Sequence, residues 1–288
     1  MSAKHFIAAL LLAIVVIDFS YGQTGAIQGP YLGQTPPGAE VKVFAPGIVS
    51  TERYTYGGTF TPDLNAFYFL RDSGTDNGVE FVVFENINNQ WQESVISKPV
   101  GQPMIAPSGK LMHLGRRYKV WTPDGWSDVK GLGASFEVYR IMRMTSSLAG
   151  TFVFDEVGSA DGDGTIRYSR LIDGERKHPL AFSKIINSGT FNAHPFIAPD
   201  ESYLLWDSRR ENGFGDSDIY ISFKQKDGAW GEAINLGPTI NTDGWDAAAS
   251  VTPDGKFLIF HRLNASGNAN IYWADASIIK ALRAQDKS

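Results

Sequence analysis

A short turn signal that returns at regular intervals constrains this chain more than any other feature. In its clearest form a Pro-Asp pair, Pro199 and Asp200, separates the apolar run 195–198 from a second run at 203–206. Related copies centre on five positions: Pro62, Pro107, Ser147, Pro199 and Pro253. These positions are about 40 to 54 residues apart, a spacing typical of four-stranded structural repeats arranged in a ring.

Residues 191–242 contain one complete repeat. Four short runs rich in aromatic and branched residues, at 195–198, 203–206, 219–223 and 230–236, are separated by clusters of Pro, Gly, Asp and Asn. This pattern predicts a four-stranded antiparallel meander. Five copies therefore predict an all-β fold, a five-bladed β-propeller. Three tryptophans fall just after a turn at the same place in their blades, which indicates packing between blades: Trp91, Trp126 and Trp230.

The two ends of the chain are predicted to meet in one blade. Residues 44–62 align without a gap to residues 235–253, so residues 41–44 are expected to form the outer strand of the last blade. The other strands of that blade are expected near Ala249, Phe257 and Ile271. Such pairing removes the open sheet edge. Residues 274–285 have helical composition and predict a short C-terminal helix on the last blade.

The first 22 residues have the character of a secretory signal peptide. A basic start at Lys4 precedes an apolar run at 6–17, and the small residues Ser20 and Gly22 follow. A retained membrane anchor is the weaker alternative, since spanning a bilayer takes roughly 20 apolar residues. We expect cleavage after Gly22, a linker or surface arm at 23–40 and a single propeller domain at 41–288. The protein is therefore expected to be periplasmic or secreted.

The amino-acid composition limits the kinds of partner and cofactor that the protein is expected to bind. The chain has 288 residues with 43% hydrophobic content, a net charge of -5 and no cysteine. The absence of cysteine excludes disulfides and an acylated-cysteine lipoprotein. The acidic balance provides no broad basic field for nucleic acid. No phosphate-binding loop, nucleophile motif or zinc-spaced histidine pair occurs, so we expect no cofactor.

The repeat elements resemble the TolB-type, WD-like β-propeller repeat of exported bacterial proteins. The resemblance is carried by Ala-Pro-Asp at 198–200, Asp-Ile-Tyr at 218–220, Asp-Gly-Ala-Trp at 227–230, Asn-Leu-Gly at 235–237, Thr-Pro-Asp-Gly-Lys at 252–256 and Asn-Ile-Tyr at 270–272. It implies a propeller in a periplasmic or secreted setting. It implies no single activity, because such proteins include partner-binding scaffolds, modules fused to envelope domains and parts of carbohydrate-active enzymes.

The meander sorts the polar residues between the two faces of the ring. The tight Pro-Asp turns lie on one face, the lower face, and the long loops lie on the other, the upper face, where propeller ligands are expected. Candidate ligand-binding residues at the ends of the inner strands are Arg71, Arg140, His194, Arg209, Trp245, Asp246 and His261. The wider rim adds Tyr56, Gln102, Arg116, Arg143, Glu156 and Asp207. Guanidinium groups there could hold an anionic sugar or a peptide carboxylate; solvated loop residues and strand-end pairs are the alternative.

Two functions remain open at this point. The first is a non-catalytic module that binds a protein or glycan on the upper face. The second is a carbohydrate-active enzyme, for which the candidate acid, base or nucleophile residues are Glu156, Asp207 and Asp246. The acidic segment that contains Glu156, Asp161, Asp163 and Gly164 has some calcium-loop character, but its spacing matches no complete pattern. We therefore interpret it as a polar turn and predict no metal site.

Overall fold

Antiparallel sheets arranged as five blades around a central axis make up the computed structural model, which describes residues 26–158, 164–264 and 266–286. The chain enters through a four-residue turn, α1 (Pro30–Gly33), and a short strand, β1 (Lys42–Val43). Blade 1 follows with β2 (Thr55–Phe60), β3 (Ala66–Asp72), β4 (Val79–Ile87) and β5 (Gln90–Ser97). Blade 2 contains β6 (Pro103–Ile105), β7 (Leu111–Leu114), β8 (Arg117–Thr122), β9 (Gly125–Trp126) and β10 (Lys130–Gly131).

The remaining three blades keep the same meander order. After α2 (Ala134–Glu137), blade 3 contains β11 (Met144–Ser146), β12 (Phe152–Glu156), β13 (Thr165–Ser169), a small hairpin of β14 (Leu171–Ile172) and β15 (Glu175–Arg176), and β16 (Leu180–Ala181). Blade 4 contains β17 (Thr190–Ile197), β18 (Tyr203–Arg209), β19 (Asp218–Phe223) and β20 (Ile234–Asn235). Blade 5 contains β21 (Asp246–Val251), β22 (Phe257–Leu263) and β23 (Ala269–Asp275), and α3 (Ser277–Asp286) ends the described chain.

Blade 5 is completed by the N-terminal strand, as the repeat alignment predicted. Strand β1 pairs with β23 in antiparallel register, with Lys42 opposite Trp273. The next residue, Phe44, donates its backbone N–H to the carbonyl of Ile271 at 2.8 Å. The sheet order β1-β23-β22-β21 therefore joins the two ends of the chain. The five-bladed fold and its closure are confirmed.

The predicted C-terminal helix is also present; it begins three residues later than predicted and ends one residue later. In α3 the side chain of Ile279 is buried, and Ile278 and Leu282 pack against the core shared by blades 4 and 5. Arg283 donates to the carbonyl of Ser202 at 2.8 Å. The helix thus fastens the last blade to its neighbour.

The segment interpreted as a linker or arm, residues 23–40, is described from residue 26. It runs beside β5, where the backbone N–H and the indole N–H of Trp91 donate to the carbonyls of Ile27 and Gly29 at 2.9 Å and 2.7 Å. Leu32 is fully buried, and the hydroxyl of Tyr31 donates to Asp254 of blade 5. This part of the segment therefore belongs to the core between blades 1 and 5.

Candidate functional site

The inner strands of three blades carry a bulge at the same place. Five residues before the anchor proline, Gly57, His194 and Ala248 have positive φ angles of 69°, 46° and 55°. The strand register shifts at each of these places, in β2, β17 and β21. A bulge leaves a backbone N–H outside the strand ladder, and such a group needs another acceptor when it is buried.

At two of these bulges, a carboxylate from the preceding blade accepts the N–H group that the strand ladder leaves unpaired. His194 donates its N–H to Asp155 at 2.9 Å, and Ala248 donates to Asp207 at 2.8 Å. Both carboxylates lie eight residues after their anchor, on the second strand of blades 3 and 4. The same position in blade 5 is His261. Each carboxylate thus links one blade to the next beside the axis.

Five buried polar residues from blades 3, 4 and 5 interact around the axis; we call them the axial cluster: Arg143, Asp155, His194, Asp207 and His261. None is more than 7% exposed. The Nδ1 atom of His194 lies 3.0 Å and 3.1 Å from the two carboxylate oxygens of Asp207. The ring of His261 lies 6.0 Å from the ring of His194, centroid to centroid. Asp155 also accepts the backbone N–H groups of Met142 and Arg143 at 2.9 Å and 3.0 Å.

The charges within the axial cluster nearly balance. Burial lowers the pKa of Arg143 to about 10, with attraction to Asp207 and Asp155 opposing the shift, so the guanidinium stays charged at neutral pH. Although burial acts to lower it, the adjacent Asp207 carboxylate raises the pKa of His194. Burial raises the pKa of Asp155 against the opposing effect of His194 and three backbone N–H groups. Two groups that carry positive charge, Arg143 and His194, therefore face two carboxylates, Asp155 and Asp207, within the same buried cluster.

Several buried polar atoms in and beside the cluster have no hydrogen-bond partner among the described residues. They include Nε and Nη1 of Arg143, Nδ1 of His261 and Oε1 of Gln102. The remaining guanidinium nitrogen of Arg143, Nη2, lies 2.9 Å from the sulfur of Met104. Buried polar atoms normally find a partner in protein or water, so these atoms are expected to bind ordered water or a polar group of a bound molecule.

The predicted rim residues do not all converge. The axis brings together His194, Asp207 and His261, with Arg143 of the wider rim. Arg71 instead forms ion pairs with Glu93 at 2.7 Å and Glu80 at 3.3 Å on blade 1. Arg140 is exposed.

The other two candidate carboxylates are occupied by their own blades. Asp246 is fully buried, accepts Nε of Arg262 at 2.5 Å, and accepts both the N–H and the hydroxyl of Thr242 at 2.7 Å. Glu156 accepts Nε of Arg167 at 2.5 Å. Both contacts hold a strand end to its neighbour.

An aromatic surface lies on the upper face between blades 4 and 5. The rings of Phe191 and Trp245 are 6.0 Å apart, and the guanidinium of Arg209 lies 5.0 Å from the centre of the Phe191 ring. Arg209 also binds Asp216 at 2.9 Å. Phe191 is 38% exposed, and its backbone has a positive φ of 53°. We call Phe191, Arg209 and Trp245 the upper patch, which contains two of the predicted ligand-binding residues.

Asp155, which accepts three backbone N–H groups beside the axis, was not among the residues predicted from the sequence. The available signal was its spacing: Asp155 follows Ser147 by the same eight residues that separate Asp207 from Pro199. The degenerate turn at Ser147 concealed this equivalence. Phe191 was missed for another reason, because a bulge sets the direction of its side chain.

Metal binding is not indicated by the described residues, among which no group of three or more His, Asp or Glu side chains is placed to hold an ion. Asp161 and Asp163 of the acidic segment lie outside the described ranges. Another acidic residue, Asp218, accepts the N–H groups of Phe214 and Gly215 at 2.6 Å and 3.1 Å. It therefore ties the start of β19 to the preceding loop.

Acidification is expected to destabilise the protein through two buried histidines. Burial lowers the pKa of both His113 and His261 from 6.5 to about 3, with further lowering by Arg176 for the first and by His194 and Arg143 for the second. Between these values only the unfolded chain takes up the protons, so stability falls as the pH drops below 6.5. From pH 7 to pH 5 the expected loss is about 2 kcal/mol for each histidine.

Urea denaturation of the wild type and of His261→Gln at the two pH values measures this effect. The variant is expected to lose less stability on acidification, because one of the two groups is removed. The comparison between the two proteins isolates His261 from Asp155 and His194, whose raised pKa values act in the opposite direction. Replacement of the exposed His178 by Gln serves as the control. An identical pH dependence in wild type and His261→Gln would contradict the buried, neutral state of this ring.

Comparison with models of known protein families gave no match, and comparison with curated protein sequences gave none either. Solved structures do match. TolB from Acinetobacter baumannii aligns with 14% identity and a TM-score of 0.47 over 77% of this chain, which spans 54% of the TolB chain. An endo-arabinase from Bacteroides thetaiotaomicron aligns with 16% identity and a TM-score of 0.49, covering 79% of this chain and 95% of that one.

TolB proteins are thus among the solved structures that are similar to this five-bladed β-propeller. A second TolB-type match is a putative TolB from Agrobacterium tumefaciens, with 16% identity, a TM-score of 0.45 and coverage of 75% of this chain and 72% of that one. The similarity concerns the fold. At such identities an activity does not pass from one propeller to another, because function resides in the site rather than in the fold.

None of the helices in the described part of the chain is long and apolar enough to cross a bilayer.

Proposed function

We propose that this protein is an exported binding module that holds a protein or glycan partner on its upper face without transforming it. One observation carries the proposal. Each of the three carboxylates that could serve as acid, base or nucleophile is occupied by donors of its own fold: Glu156 by Arg167, Asp207 by His194 and Ala248, and Asp246 by Arg262 and Thr242.

Glycoside chemistry needs carboxylates of a different kind. One must be protonated and directed at the leaving oxygen, and its partner must face the sugar or a water molecule. Asp246 accepts three hydrogen bonds and is fully buried, so its oxygens have little capacity left for a substrate. Asp207 is turned toward the ring of His194 and the backbone of blade 5. These contacts support a structural role for both groups and disfavour the enzyme alternative.

The upper face offers groups suited to binding. The upper patch presents two aromatic rings beside a guanidinium group, a combination that is enriched where proteins bind partners. Below it, unpaired nitrogens of Arg143 and His261 lie at the axis. A partner with a carboxylate or hydroxyl group at its tip would match the guanidinium of Arg143.

The first residues of the chain support the export of the protein. The leader at residues 1–22 lies outside the described ranges, and its basic start and apolar run support secretion or a periplasmic location. The absence of cysteine means that the mature chain is stabilised in that compartment by its core and its closed ring alone.

Two measurements on the mature chain, residues 23–288, test the proposal. A panel of envelope and plant polysaccharides is incubated with the protein and assayed for new reducing ends, and none is expected. A photo-crosslinking benzoylphenylalanine at position 191 is expected to capture a partner from the envelope fraction. The same group in place of Leu180, which is 56% exposed on blade 3, is expected to capture none.

If the protein releases reducing ends and either Asp246→Asn or Asp207→Asn abolishes that release, the carbohydrate-active enzyme hypothesis would be favoured instead. Equal crosslinking from positions 191 and 180 would remove the upper face as the binding surface.

A further inference from the structure

A second surface with binding character lies on the side of the ring, between blades 1 and 2. It is a groove of about 430 Å³ whose walls come from the lower turns of both blades and from the outer part of each sheet. We call it the lateral groove. It contains none of the axial cluster or upper patch residues. It is therefore separate from the surface proposed above.

The repeated tryptophans explain what is unusual about this groove. In three blades the tryptophan after the turn faces one residue across the strand pair, and the three pairs are Trp91 with Asn86, Trp126 with Trp121, and Trp230 with Lys224. The repeated tryptophan has a packing role in each case. Only blade 2, among these three, places a second indole opposite it.

Trp121 is an exposed and firmly held aromatic surface. It is 51% exposed, although its ring packs edge-to-face against Trp126 at 5.1 Å and 80°. Trp126 is in turn fixed, because its indole N–H donates to the hydroxyl of Tyr68 at 3.0 Å. A rigid aromatic face costs little conformational entropy when a ligand binds to it.

The charged groups of the lateral groove are hydrogen-bond acceptors. Asp63 and Glu85 contribute carboxylates, and Asn65 and Asn86 contribute amides, whereas no Lys or Arg lines the groove. The side-chain oxygen of Asn86 is buried and has no hydrogen-bond partner among the described residues. The carboxylate and amide oxygens that line the groove favour a ligand that brings hydroxyl or ammonium groups.

We propose that the lateral groove binds a pyranose oligosaccharide that is uncharged or positively charged. The proposal rests on the binding role inferred above and assigns it a ligand class and a second site. One sugar face, with its C–H groups, would stack on the negative face of the Trp121 indole. Its hydroxyl or amino groups would donate to the carboxylates of Asp63 and Glu85 at the edge of the ring. One oxygen of Asp63, Oδ1, accepts from Thr61 and Asn65, and the other, Oδ2, would accept from the sugar. The carboxylates would repel uronic acids.

The corresponding groove between blades 3 and 4 provides an internal comparison. There Lys224 occupies the place of Trp121, binds Glu201 at 2.9 Å and lies 5.9 Å from the centre of the Trp230 ring. A cation thus covers the position that is an open aromatic face in the lateral groove. The substitution Trp121→Lys transfers this arrangement to blade 2.

Isothermal titration of the mature protein with three trisaccharides tests the proposal. Binding is expected for the trimers of glucosamine and of N-acetylglucosamine, and none for the trimer of galacturonic acid. Trp121→Ala and Trp121→Lys are expected to weaken binding by about tenfold or more, whereas Trp121→Phe keeps most of it. Val138→Ala, at a site that is 74% exposed immediately after α2, is expected to bind like the wild type.

Three outcomes would overturn the lateral groove as a glycan site: no binding of either amino-sugar trimer, unchanged binding in Trp121→Ala, or equally tight binding of the galacturonic acid trimer. Thermal melting of each variant establishes that it is folded, which is expected because Trp121 is half exposed. Binding on the upper face is tested independently by crosslinking at position 191. A crosslink there together with no effect at Trp121 would reject the groove and leave the upper face intact.

Discussion

Replacing Phe44 by alanine is expected to lower the free energy of unfolding by about 3–5 kcal/mol. The side chain is fully buried, and its ring lies 5.9 Å from Phe60, 5.1 Å from Phe67 and 5.2 Å from Trp273. These rings belong to blades 1 and 5, so the cavity would open where the two ends of the chain meet. The measurement is urea denaturation followed by tryptophan fluorescence, with the free energy taken from the midpoint and slope.

Lys42→Ala is the matched control for this prediction. Lys42 lies in the closing strand β1, two residues before Phe44 and opposite Trp273, but its side chain is exposed. Its replacement is expected to change stability by no more than about 0.5 kcal/mol. If Phe44→Ala unfolds at the urea concentration of the control, the closing strand contributes little to stability and the ring is held by other contacts.

The architecture could be predicted from the sequence because a propeller repeats its local signals. Each tight turn needs Pro, Asp or Gly at a fixed place, and each strand needs a run of branched or aromatic residues. The gap-free match between residues 44–62 and 235–253 then fixes which strand closes the ring. Blade 3 was the least legible copy, with Ser147 and Leu148 at the turn, and its strands β11 and β12 still pair in the expected order.

The position of a side chain at the axis could not be predicted in the same way. Gly57, His194 and Ala248 share a left-handed backbone conformation although only one of them is glycine. That conformation is uncommon for the other two residue types. It is stabilised here by Asp155 and Asp207 from the preceding blades. Because the acceptor lies about 40 residues away in the chain, no local pattern reports the contact.

The lack of a local signal also explains why the sequence could not show which candidate residues converge at the axis and which do not. Arg71, Arg209 and Asp246 lie at strand ends, as the repeat implied, but each is bound by a charged neighbour from its own blade. Trp121 escaped selection because a lone tryptophan in a strand is typical of a packed core. Only the cross-strand register, which places it opposite Trp126, gives it a role on the surface.

The axial carboxylate Asp207 provides the sharpest distinction between a structural and a chemical role. Asp207→Ala is expected to destabilise the protein by about 3–5 kcal/mol, because it leaves the charges of Arg143 and His194 buried without their partner. It also leaves the N–H of Ala248 without its acceptor. Asp216→Ala is the matched control: Asp216 forms an exposed ion pair with Arg209, its side chain is 69% exposed, and its loss is expected to cost no more than about 1 kcal/mol. Urea denaturation at pH 7 measures both variants. Equal stability of Asp207→Ala and wild type would mean that the cluster does not hold blades 3, 4 and 5 together, and the carboxylate would then be free for the acid–base chemistry that its present contacts disfavour.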